Sequence, residues 1–242
     1  MPDCLIRFEH VSFGYGPDRP VLERCSFCLE SGQRIALLGA NGSGKTTLLH
    51  LVVGLLKPND GKICAFGAER IDESDFADVR RQAGLVFQDA DDQLFCPTVE
   101  EDVAFGPLNL GRPRPEVRQI VAETLSTLGL EAYAHRITHR LSGGEKRLVA
   151  LATVLAMQPK VLLLDEPTAG LDEAATERLL EVLRGLQQAM LIASHDRPFL
   201  DRLATDAWIL RGGRVEPISA VLPGGAKNQV PRVASESAPR LE

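Results

Sequence analysis

The alternation of apolar and polar residues predicts two kinds of β-strand in this chain. Residues 5–30 alternate between the two classes and contain turn residues at Gly14 and Pro20, a pattern typical of antiparallel strands with one exposed face. Residues 61–67 indicate another short strand bounded by glycines. Elsewhere the apolar residues are consecutive, as in strands whose two faces are both covered. These continuous runs occupy residues 35–38, 84–88, 161–164 and 190–193.

Helical periodicity fills the intervals between the runs. A stopping signal containing Gly or Pro follows each of three predicted helices. The region from residue 98 to about 140 is helical in pattern, with interruptions at Pro107, Pro113 and Pro115. Beyond residue 216, Pro, Gly, Ser and polar residues dominate, which predicts a loose tail over residues 217–242. The three predicted helices are residues 46–56, 116–128 and 141–157.

The composition is that of an ordinary soluble protein large enough to bury a core. The chain has 242 residues, of which 44% are hydrophobic and 25% charged, and its formal net charge is −6. No basic stretch suggests a nucleic-acid-binding surface, and no apolar run approaches the ~20 residues of a membrane span. Because the N-terminus lacks the basic and apolar regions of a signal peptide, a cytoplasmic protein is expected.

Five cysteines are present, and two of them form the sequence Cys25-x-x-Cys28. This spacing occurs in metal sites, but no second pair and no neighbouring histidine follows it. We therefore expect both to be small apolar residues of a strand. The odd number of cysteines also fits a reducing compartment.

Residues 39–46, Gly-Ala-Asn-Gly-Ser-Gly-Lys-Thr, form a complete phosphate-binding loop of the pattern G-x-x-x-x-G-K-[ST]. The loop stands between a predicted buried strand and a predicted helix, which is the context that the motif requires. Its glycines free the backbone, so that successive N–H groups can point at a phosphate, and the helix N-terminus adds positive charge. Lys45 would reach the β- and γ-phosphates, and Thr46 would offer its hydroxyl to Mg²⁺.

Two carboxylates, Asp165 and Glu166, follow the apolar run at residues 161–164. Open parallel sheets bind their ligands at the C-terminal ends of the strands. Asp165 would therefore belong to the magnesium shell, and Glu166 would orient and polarise the attacking water. The alternative is a solvated acidic turn, which the upstream phosphate-binding loop disfavours.

Three further positions carry signals that are weak one at a time. Gln88 ends a predicted strand, where its amide could ligate Mg²⁺ or contact water, although a surface glutamine is the ordinary interpretation. Ser142, Gly143 and Gly144 open a helix and could bind an anion, although alone they form a helix cap. His195 follows a buried strand and could contact a γ-phosphate, although a lone histidine is more often structural.

Taken in order, these motifs resemble those of the ATP-binding-cassette (ABC) ATPases from Leu5 to about Glu216. The discriminating element is the signature Leu-Ser-Gly-Gly-Glu at residues 141–145, where Glu145 replaces the glutamine most often found in the family. The resemblance implies an α/β phosphate-loop NTPase core within a domain of residues 1–216. An antiparallel β subdomain and an α-helical signature subdomain, at about residues 89–158, would belong to the same domain.

The resemblance also implies a role for particular residues. Catalysis of ATP hydrolysis would rest on Glu166, His195, Gln88 and Lys45, and a D-loop would lie at residues 169–172. Mg²⁺ would be held by Thr46, Gln88 and Asp165. ATP would be bound by Tyr15, stacked on adenine, and by Gly39, Asn41, Gly42, Ser43, Gly44, Lys45, Thr46, Thr47, Gln88, Ser142, Gly144 and His195.

A head-to-tail homodimer is a further implication of the resemblance. Each ATP would lie between the phosphate-binding loop of one chain and Ser142 and Gly144 of the other. Two anion-binding elements in one chain are both used if two chains enclose two nucleotides. Closure then depends on the γ-phosphate, and hydrolysis allows reopening.

The segment after Gln88 resembles one subgroup in particular. Residues 89–95, Asp-Ala-Asp-Asp-Gln-Leu-Phe, and residues 98–111 are similar to the energy-coupling-factor ATPases, especially the cobalt and nickel importer ATPases of the CbiO/NikO type. In that subgroup this region docks helices of a transmembrane coupling subunit, which works with a substrate-binding membrane subunit. The resemblance therefore implies a peripheral subunit on the cytoplasmic membrane face. Its docking contacts would be Asp91, Asp92 and Gln93, and the cluster of carboxylates in this region suits arginines.

Other functions are left open at this stage. The ATPase of a vitamin importer in the same subgroup would look alike, because another chain selects the substrate. A soluble ABC ATPase acting on nucleic acid or ribosomes would usually carry two cassettes, a coiled-coil insertion or a basic surface. A non-catalytic binding module would be expected to lose Lys45, Glu166 or His195, all of which are present.

Two possible metal sites are disfavoured. Asp89, Asp91 and Asp92 form an acidic loop, but transported cobalt or nickel should cross in the membrane partner. His135 and His139 have i,i+4 spacing, yet they lie in a polar stretch, so we expect them to be surface residues.

Overall fold

A computed structural model provides the structure of the protein and describes residues 3–16 and 18–218. Most of the predicted tail, residues 217–242, lies outside this part; Pro217 is the last residue of a strand. The strands are β1 (Cys4–Gly14), β2 (Pro20–Glu30), β3 (Arg34–Leu38), β4 (Asp60–Ala65), β5 (Ala68–Arg70), β6 (Ala83–Val86), β7 (Val161–Asp165), β8 (Ala189–Ala193), β9 (Asp206–Arg211) and β10 (Arg214–Pro217).

Seven α-helices lie between the strands of the described part. Helices α1, α4 and α5 correspond to the three predicted helices, and α3 forms the first part of the helical stretch from residue 98. Elements α2, α6, α7, β5, β9 and β10 have no counterpart among the predictions. The helices are α1 (Lys45–Val52), α2 (Glu73–Gln82), α3 (Val99–Asn109), α4 (Arg114–Thr127), α5 (Gly143–Leu155), α6 (Glu173–Gly185) and α7 (Arg197–Leu203).

The larger sheet has six strands in the order β10-β9-β3-β8-β7-β6. All its pairs are parallel except β9 with β10. Strand β3 lies between β8 and β9, so the phosphate-binding loop that follows β3 emerges beside the end of β8. The C-terminal ends of β3, β6, β7 and β8 therefore meet at one edge of the sheet.

The continuous apolar runs are explained by two hydrophobic cores, one on each face of this sheet. In β7, Leu162 and Leu164 enter the core shared with α3 to α6, whereas Val161 and Leu163 enter the core shared with α1 and the smaller sheet. Alternate residues of β3 and β8 divide between the cores in the same way. Because both faces are covered, each position of these strands has to be apolar.

The smaller sheet has four antiparallel strands in the order β2-β1-β4-β5. It matches the alternating pattern of residues 5–30, since Ile6, Phe8, Leu22 and Leu29 are buried while intervening residues are exposed. Its inner side packs on α1 and on β3, β7 and β8 of the larger sheet. The two sheets and the helices together give an α/β fold with a separate antiparallel β layer.

The cysteines depart from the prediction. Cys25 is buried and free, as expected for a small apolar residue. Cys28, however, forms a disulfide with Cys4, joining β2 to β1 with a Cα–Cα distance of 6.0 Å. Antiparallel pairing places these two side chains near each other although 24 residues separate them. The Cys25-x-x-Cys28 pair is therefore divided between a core position and a cross-strand bond.

Helix α1 is shorter than predicted, because it ends at Val52 instead of residue 56. Gly54 follows with a φ of 71°, in the left-handed region that glycine favours. A Cβ atom at this position would lie 2.2 Å from Phe76 Cγ, a residue of the unpredicted α2. The packing of α2 over this turn therefore requires glycine and ends the helix.

Two prolines mark a helix start rather than a break. Pro113 is the N-cap of α4 and Pro115 lies in its first turn, positions where no intrahelical N–H bond is lost. Pro107 lies inside α3, which continues to Asn109, so the predicted interruption at this residue is wrong. Proline lacks the N–H that would donate to the Val103 carbonyl, so one intrahelical bond is lost, and α3 ends two residues later.

Candidate nucleotide-binding site

The phosphate-binding loop connects β3 to α1, as its sequence predicts. Gly44 has a φ of 103°, and a Cβ there would lie 2.6 Å from Val21 Cγ1. A Cβ at Gly39 would lie 2.6 Å from Ser43 Oγ and 2.9 Å from the Leu210 carbonyl oxygen. Side chains at either position would displace the loop, so glycine is required to keep its backbone close to the sheet.

Two polar groups inside the loop are arranged to receive an anion. Lys45 is only 7% exposed, and its Nζ donates to the carbonyl oxygens of Gly39 at 3.0 Å and Ala40 at 3.3 Å. Ser43 Oγ is buried and makes no hydrogen bond within the described residues. A buried hydroxyl without a partner is uncommon, and a phosphate oxygen in the loop would provide one.

Asp165 ends β7 next to this loop. Its side chain is buried, and burial raises the pKa of its carboxyl above the ordinary value, while a hydrogen bond with the Thr46 hydroxyl opposes the rise. Glu166 raises this pKa further, and Lys45 and His50 lower it. A carboxylate with a hydroxyl nearby offers oxygen ligands, the type that Mg²⁺ prefers.

Glu166 and His195 are in direct contact. Glu166 Oε2 lies 2.9 Å from His195 Nδ1, and the His195 backbone N–H donates to the same oxygen at 3.4 Å. The Glu166 backbone has a φ of 45°, and its N–H donates to the Ala193 carbonyl at 2.7 Å. Left-handed backbone at a non-glycine residue is strained, and such strain is concentrated at functional sites. The pairing of β7 with β8 brings the two side chains together.

Gln88 lies two residues beyond β6, so the predicted strand over residues 84–88 is two residues too long. The parallel register aligns Val86 with Leu164, which places Gln88 level with Glu166 at the same sheet edge. Tyr15 lies on the other side of the loop: its ring is 63% exposed, and its hydroxyl is 3.1 Å from Thr47 Oγ1. An exposed ring beside the loop has an open face on which a base could stack.

Ser142 and Gly144 lie at the beginning of α5. Ser142 is the N-cap, and it forms a capping box in which Glu145 Oε2 accepts from the Ser142 N–H at 2.7 Å. This bond is the main reason that the pKa of Glu145 is lowered, and Arg136 lowers it further. Glu145 thus performs the capping role that glutamine can also perform. Within residues 3–218, no hydrogen bond joins Ser142 or Gly144 to the phosphate-binding loop.

Two residues connect this helix to the site in ways that the sequence did not suggest. Arg147, in the second turn of α5, is 7% exposed and donates to the carbonyl oxygens of Phe87 at 3.0 Å and Ala169 at 3.2 Å. Burial lowers the pKa of the Arg147 guanidinium, whereas the negative charges of Asp89 and Asp165 act in the opposite direction and raise it. The one available signal was a basic residue on the apolar face of a predicted helix.

The second residue is Gln93, which we expected to be a docking contact. Its Nε2 donates to the Ala150 carbonyl at 2.8 Å and to Thr153 Oγ1 at 2.9 Å, and its Oε1 accepts from the Phe87 N–H at 3.1 Å. The side chain is therefore directed inward to α5, and of the three predicted docking contacts Asp91 and Asp92 are the exposed ones. A short 3₁₀ turn at Ala90–Asp92 causes this orientation.

The other residues of the acidic segment remain at the surface. Asp91 is exposed, although its Oδ1 lies 2.6 Å from Lys146 Nζ, and Asp92 is exposed. His135 and His139 are surface residues, as predicted, and His135 Nδ1 lies 3.0 Å from Glu100 Oε1. Among residues 3–218 there is no helix with the length and apolar character needed to span a bilayer.

Comparison with known families identifies the family and the fold. The family described as "ABC transporter" matches residues 22–169, more than half of the chain. The chain therefore belongs to the ABC transporter ATP-binding family, with the ABC ATPase fold and the ATP hydrolase activity characteristic of that family. The antiparallel sheet, the parallel sheet and the helices of the described part correspond to this fold.

Three related sequences cover most of the chain. A Brucella suis protein with the general name of an ABC transporter ATP-binding protein is 56% identical over 82% of this chain and 83% of its own length. The cobalt import ATP-binding protein CbiO of Rhodobacter capsulatus is 45% identical over 87% of this chain and 77% of its own length. The energy-coupling factor transporter ATP-binding protein EcfA of Methanothermobacter thermautotrophicus is 42% identical over 87% of this chain and 69% of its own length.

Two solved structures are close in shape. CbiO1 from Clostridium perfringens, part of the ABC transporter complex cbiONQ, has a TM-score of 0.80 and 35% identity, covering 88% of this chain and 87% of that one. The cassette MJ0796, a dimer in a post-hydrolysis state with ADP and Pi, has a TM-score of 0.78 and 26% identity, covering 88% and 97%.

Proposed function

We propose that this chain is the ATP-hydrolysing subunit of an energy-coupling-factor importer, and that it powers the uptake of cobalt or nickel ions through membrane partners. Its place would be peripheral, on the cytoplasmic face of the membrane. The observation that carries this proposal is the 45% identity, over 87% of the chain, to a cobalt import ATP-binding protein. The general ABC ATPase assignment does not depend on it.

The residues at the sheet edge have distinct parts in hydrolysis. Lys45 and the loop N–H groups would hold the β- and γ-phosphates, and the Lys45 ammonium would exchange its loop carbonyls for phosphate oxygens. Glu166, fixed by His195 and by the backbone of β8, would orient the attacking water. Gln88 at the same level would contact that water or the metal.

Magnesium fits the residues present. Thr46 and Asp165 would supply two oxygen ligands, and Gln88 would add its amide oxygen. Bound there, Mg²⁺ would supply positive charge to the phosphate oxygens. Because burial raises the pKa of Asp165, its carboxyl holds a proton to higher pH than an exposed aspartate does, and metal binding requires its release.

The second half of each ATP site would come from another copy of the chain. Ser142 caps α5 by accepting from the Glu145 N–H, and among the described residues the N–H groups of Gly143 and Gly144 have no partner and are available to an anion. No hydrogen bond of the described residues links this helix end to the chain's own loop. A head-to-tail homodimer would place the Ser142 and Gly144 of one chain against the γ-phosphate held by the other.

The membrane partner would dock near the acidic segment. Beside Asp91 and Asp92, the side chains of Phe95, Phe105 and Leu108 are 64%, 44% and 46% exposed. The two phenylalanine rings pack edge to face with centroids 4.7 Å apart. A groove of about 470 Å³ lies between Asp91, Phe95 and His139. An exposed apolar patch with an acidic rim suits a helix that carries both apolar and basic side chains.

The test reverses two charges on this surface. Asp91→Lys with Asp92→Lys should release the ATPase from a co-expressed membrane coupling subunit, with loss of cobalt or nickel uptake by cells. ATP hydrolysis and stability of the free chain should change little, because both side chains are exposed. The Lys146 ammonium beside Asp91 makes Asp92→Lys alone the milder variant.

A matched control makes the same change of charge elsewhere. Glu23→Lys with Glu123→Lys alters two exposed carboxylates on β2 and α4 and should keep both assembly and uptake. Retained assembly in the Asp91/Asp92 variant would refute the docking surface. Uptake of a vitamin in place of a metal ion would refute the substrate and favour the vitamin importer.

A further inference from the structure

We infer that Arg147 is a positioning residue that joins α5, the helix of the signature, to the two catalytic loops of its own chain, which follow β6 at Gln88 and β7 at Glu166. Through these contacts it would couple the two ATP sites of the dimer. The coupling part rests on the proposed head-to-tail dimer. The positioning part rests only on contacts within one chain.

The contacts of Arg147 form a bridge between three segments. The side chain extends from α5, five residues after Ser142, and one guanidinium donates to the carbonyls of both Phe87 and Ala169. Phe87 immediately precedes Gln88. The Ala169 N–H donates to the Glu166 carbonyl at 3.0 Å, so the peptides around this turn are held by Arg147 at one end and Glu166 at the other.

The two peptide groups that flank the Phe87 Cα atom are both held from α5. The Phe87 carbonyl accepts from Arg147, and the Phe87 N–H donates to Gln93, whose amide is in turn bonded to Ala150 and Thr153 of α5. A residue whose backbone N–H and C=O are both bonded to groups held by one helix has to follow that helix when it moves. The backbone at Gln88 is therefore mechanically attached to the helix that begins with Ser142.

The dimer gives this attachment a consequence. Ser142 would contact the ATP bound by the other chain, whereas Gln88 and Glu166 act on the ATP of their own chain. Occupation of one site would shift α5, and Arg147 would carry the shift to the Gln88 and Glu166 segments that serve the other site. The planar guanidinium holds its two donor nitrogens, one for each carbonyl, in a fixed geometry, whereas a lysine ammonium is a single nitrogen on a flexible chain and lacks this fork.

The decisive variant is Arg147→Lys, which keeps the charge and loses the fork. We expect kcat to fall by about tenfold to a hundredfold, since small misplacements of catalytic groups have effects of this size. The affinity for a fluorescent ATP analogue should stay within about twofold, because the phosphate-binding loop is untouched. The Hill coefficient for ATP, about 2 if both sites must fill to close the dimer, should fall towards about 1.

Arg178→Lys is the matched control. Arg178 on α6 also donates to two successive backbone carbonyls, those of Leu128 at 2.8 Å and Gly129, but it contacts neither catalytic loop. Its replacement should leave kcat and the Hill coefficient unchanged. An equal loss in both variants would reduce Arg147 to a structural residue, and an Arg147→Lys enzyme with normal kcat and Hill coefficient would overturn the inference.

Two additions keep the test decisive. If Arg147→Lys does not fold, Gln93→Leu removes the bond to the Phe87 N–H instead. This variant should reproduce the lower kcat and Hill coefficient. Normal values would count against the bridge. If the wild-type Hill coefficient is itself about 1, the two-site dimer fails. A lower kcat in Arg147→Lys would then still establish positioning within one chain, and an unchanged kcat would remove that as well.

Discussion

The C-terminal edge of the parallel sheet and the N-terminal end of α5 differ in how complete each is within a single chain. At the sheet edge, Lys45, Asp165 and Glu166 are almost fully buried, and each contacts another polar group of the site. At α5, Ser142 and Glu145 satisfy one another in a capping box at the surface. The first region is held together by contacts within one chain and, under the proposed function, would carry out the reaction, whereas the second is a capped helix end.

This difference indicates how the chain would prevent wasteful hydrolysis. The sheet edge is held in place by the fold, although its buried charges and the strained backbone at Glu166 cost folding free energy. The helix end needs no ligand to be stable, so it would engage only when a second chain presents an ATP. Chemistry and control would thus lie in separate parts of one molecule, linked through Arg147.

The largest effect is expected from a change at the sheet edge. Glu166→Gln keeps the size of the side chain but removes the charge that orients water, so hydrolysis should fall by about 10²-fold or more. ATP binding should persist, and a closed dimer should accumulate on size-exclusion chromatography with ATP. Lys45→Ala should instead weaken binding of fluorescent ATP. Near-normal turnover by Glu166→Gln would remove the role proposed for this residue.

Mixing variants tests whether the two regions act in different chains. Lys45→Ala and Ser142→Arg should each be inactive alone. Their heterodimer has one intact site and one doubly damaged site, so a 1:1 mixture should recover at most about a quarter of the wild-type activity under random pairing of two-fold dimers.

The control for mixing combines two lesions of the same region. When Lys45→Ala chains are mixed with Glu166→Gln chains, each site of the heterodimer carries one damaged residue. No recovery of activity should occur. Recovery in this control, or full activity of Ser142→Arg alone, would contradict a site shared between chains. Recovery well below a quarter would be expected if the sites are coupled as inferred for Arg147.

The smallest effect is expected at the capping box. Glu145→Gln should be nearly neutral, whereas Glu145→Ala should lower the free energy of unfolding by about 1 kcal/mol or less in urea titrations. The pKa of Glu145 lies below its ordinary 4.5, so its stabilising contribution is complete above that pH and is lost as the pH falls through the lower, folded-state pKa. The difference between wild type and Glu145→Ala should therefore shrink in acid; a constant difference would show that the carboxylate is not responsible.

The elements closest to the chemistry were predictable because their signals are local. The phosphate-binding loop, the acidic end of β7 and the capping serine of α5 each consist of consecutive residues whose backbone requirements are visible in the sequence. The continuous apolar runs also predicted strands covered on both faces, and the two cores confirm that. By contrast α2, α6 and α7 were not predicted, because their ordinary amphipathic patterns are weaker than the strand and motif patterns on either side of them.

The sequence by itself determined the family, the ATPase chemistry and the identity of the loop that would bind phosphate. Only the tertiary structure decided which distant groups meet: Glu166 with His195, Tyr15 with Thr47, and Arg147 with Phe87 and Ala169. It also turned Gln93 inward and paired Cys4 with Cys28. Such contacts depend on strand order and register, which place residues tens of positions apart at the same sheet edge, and no local pattern of side chains records that order.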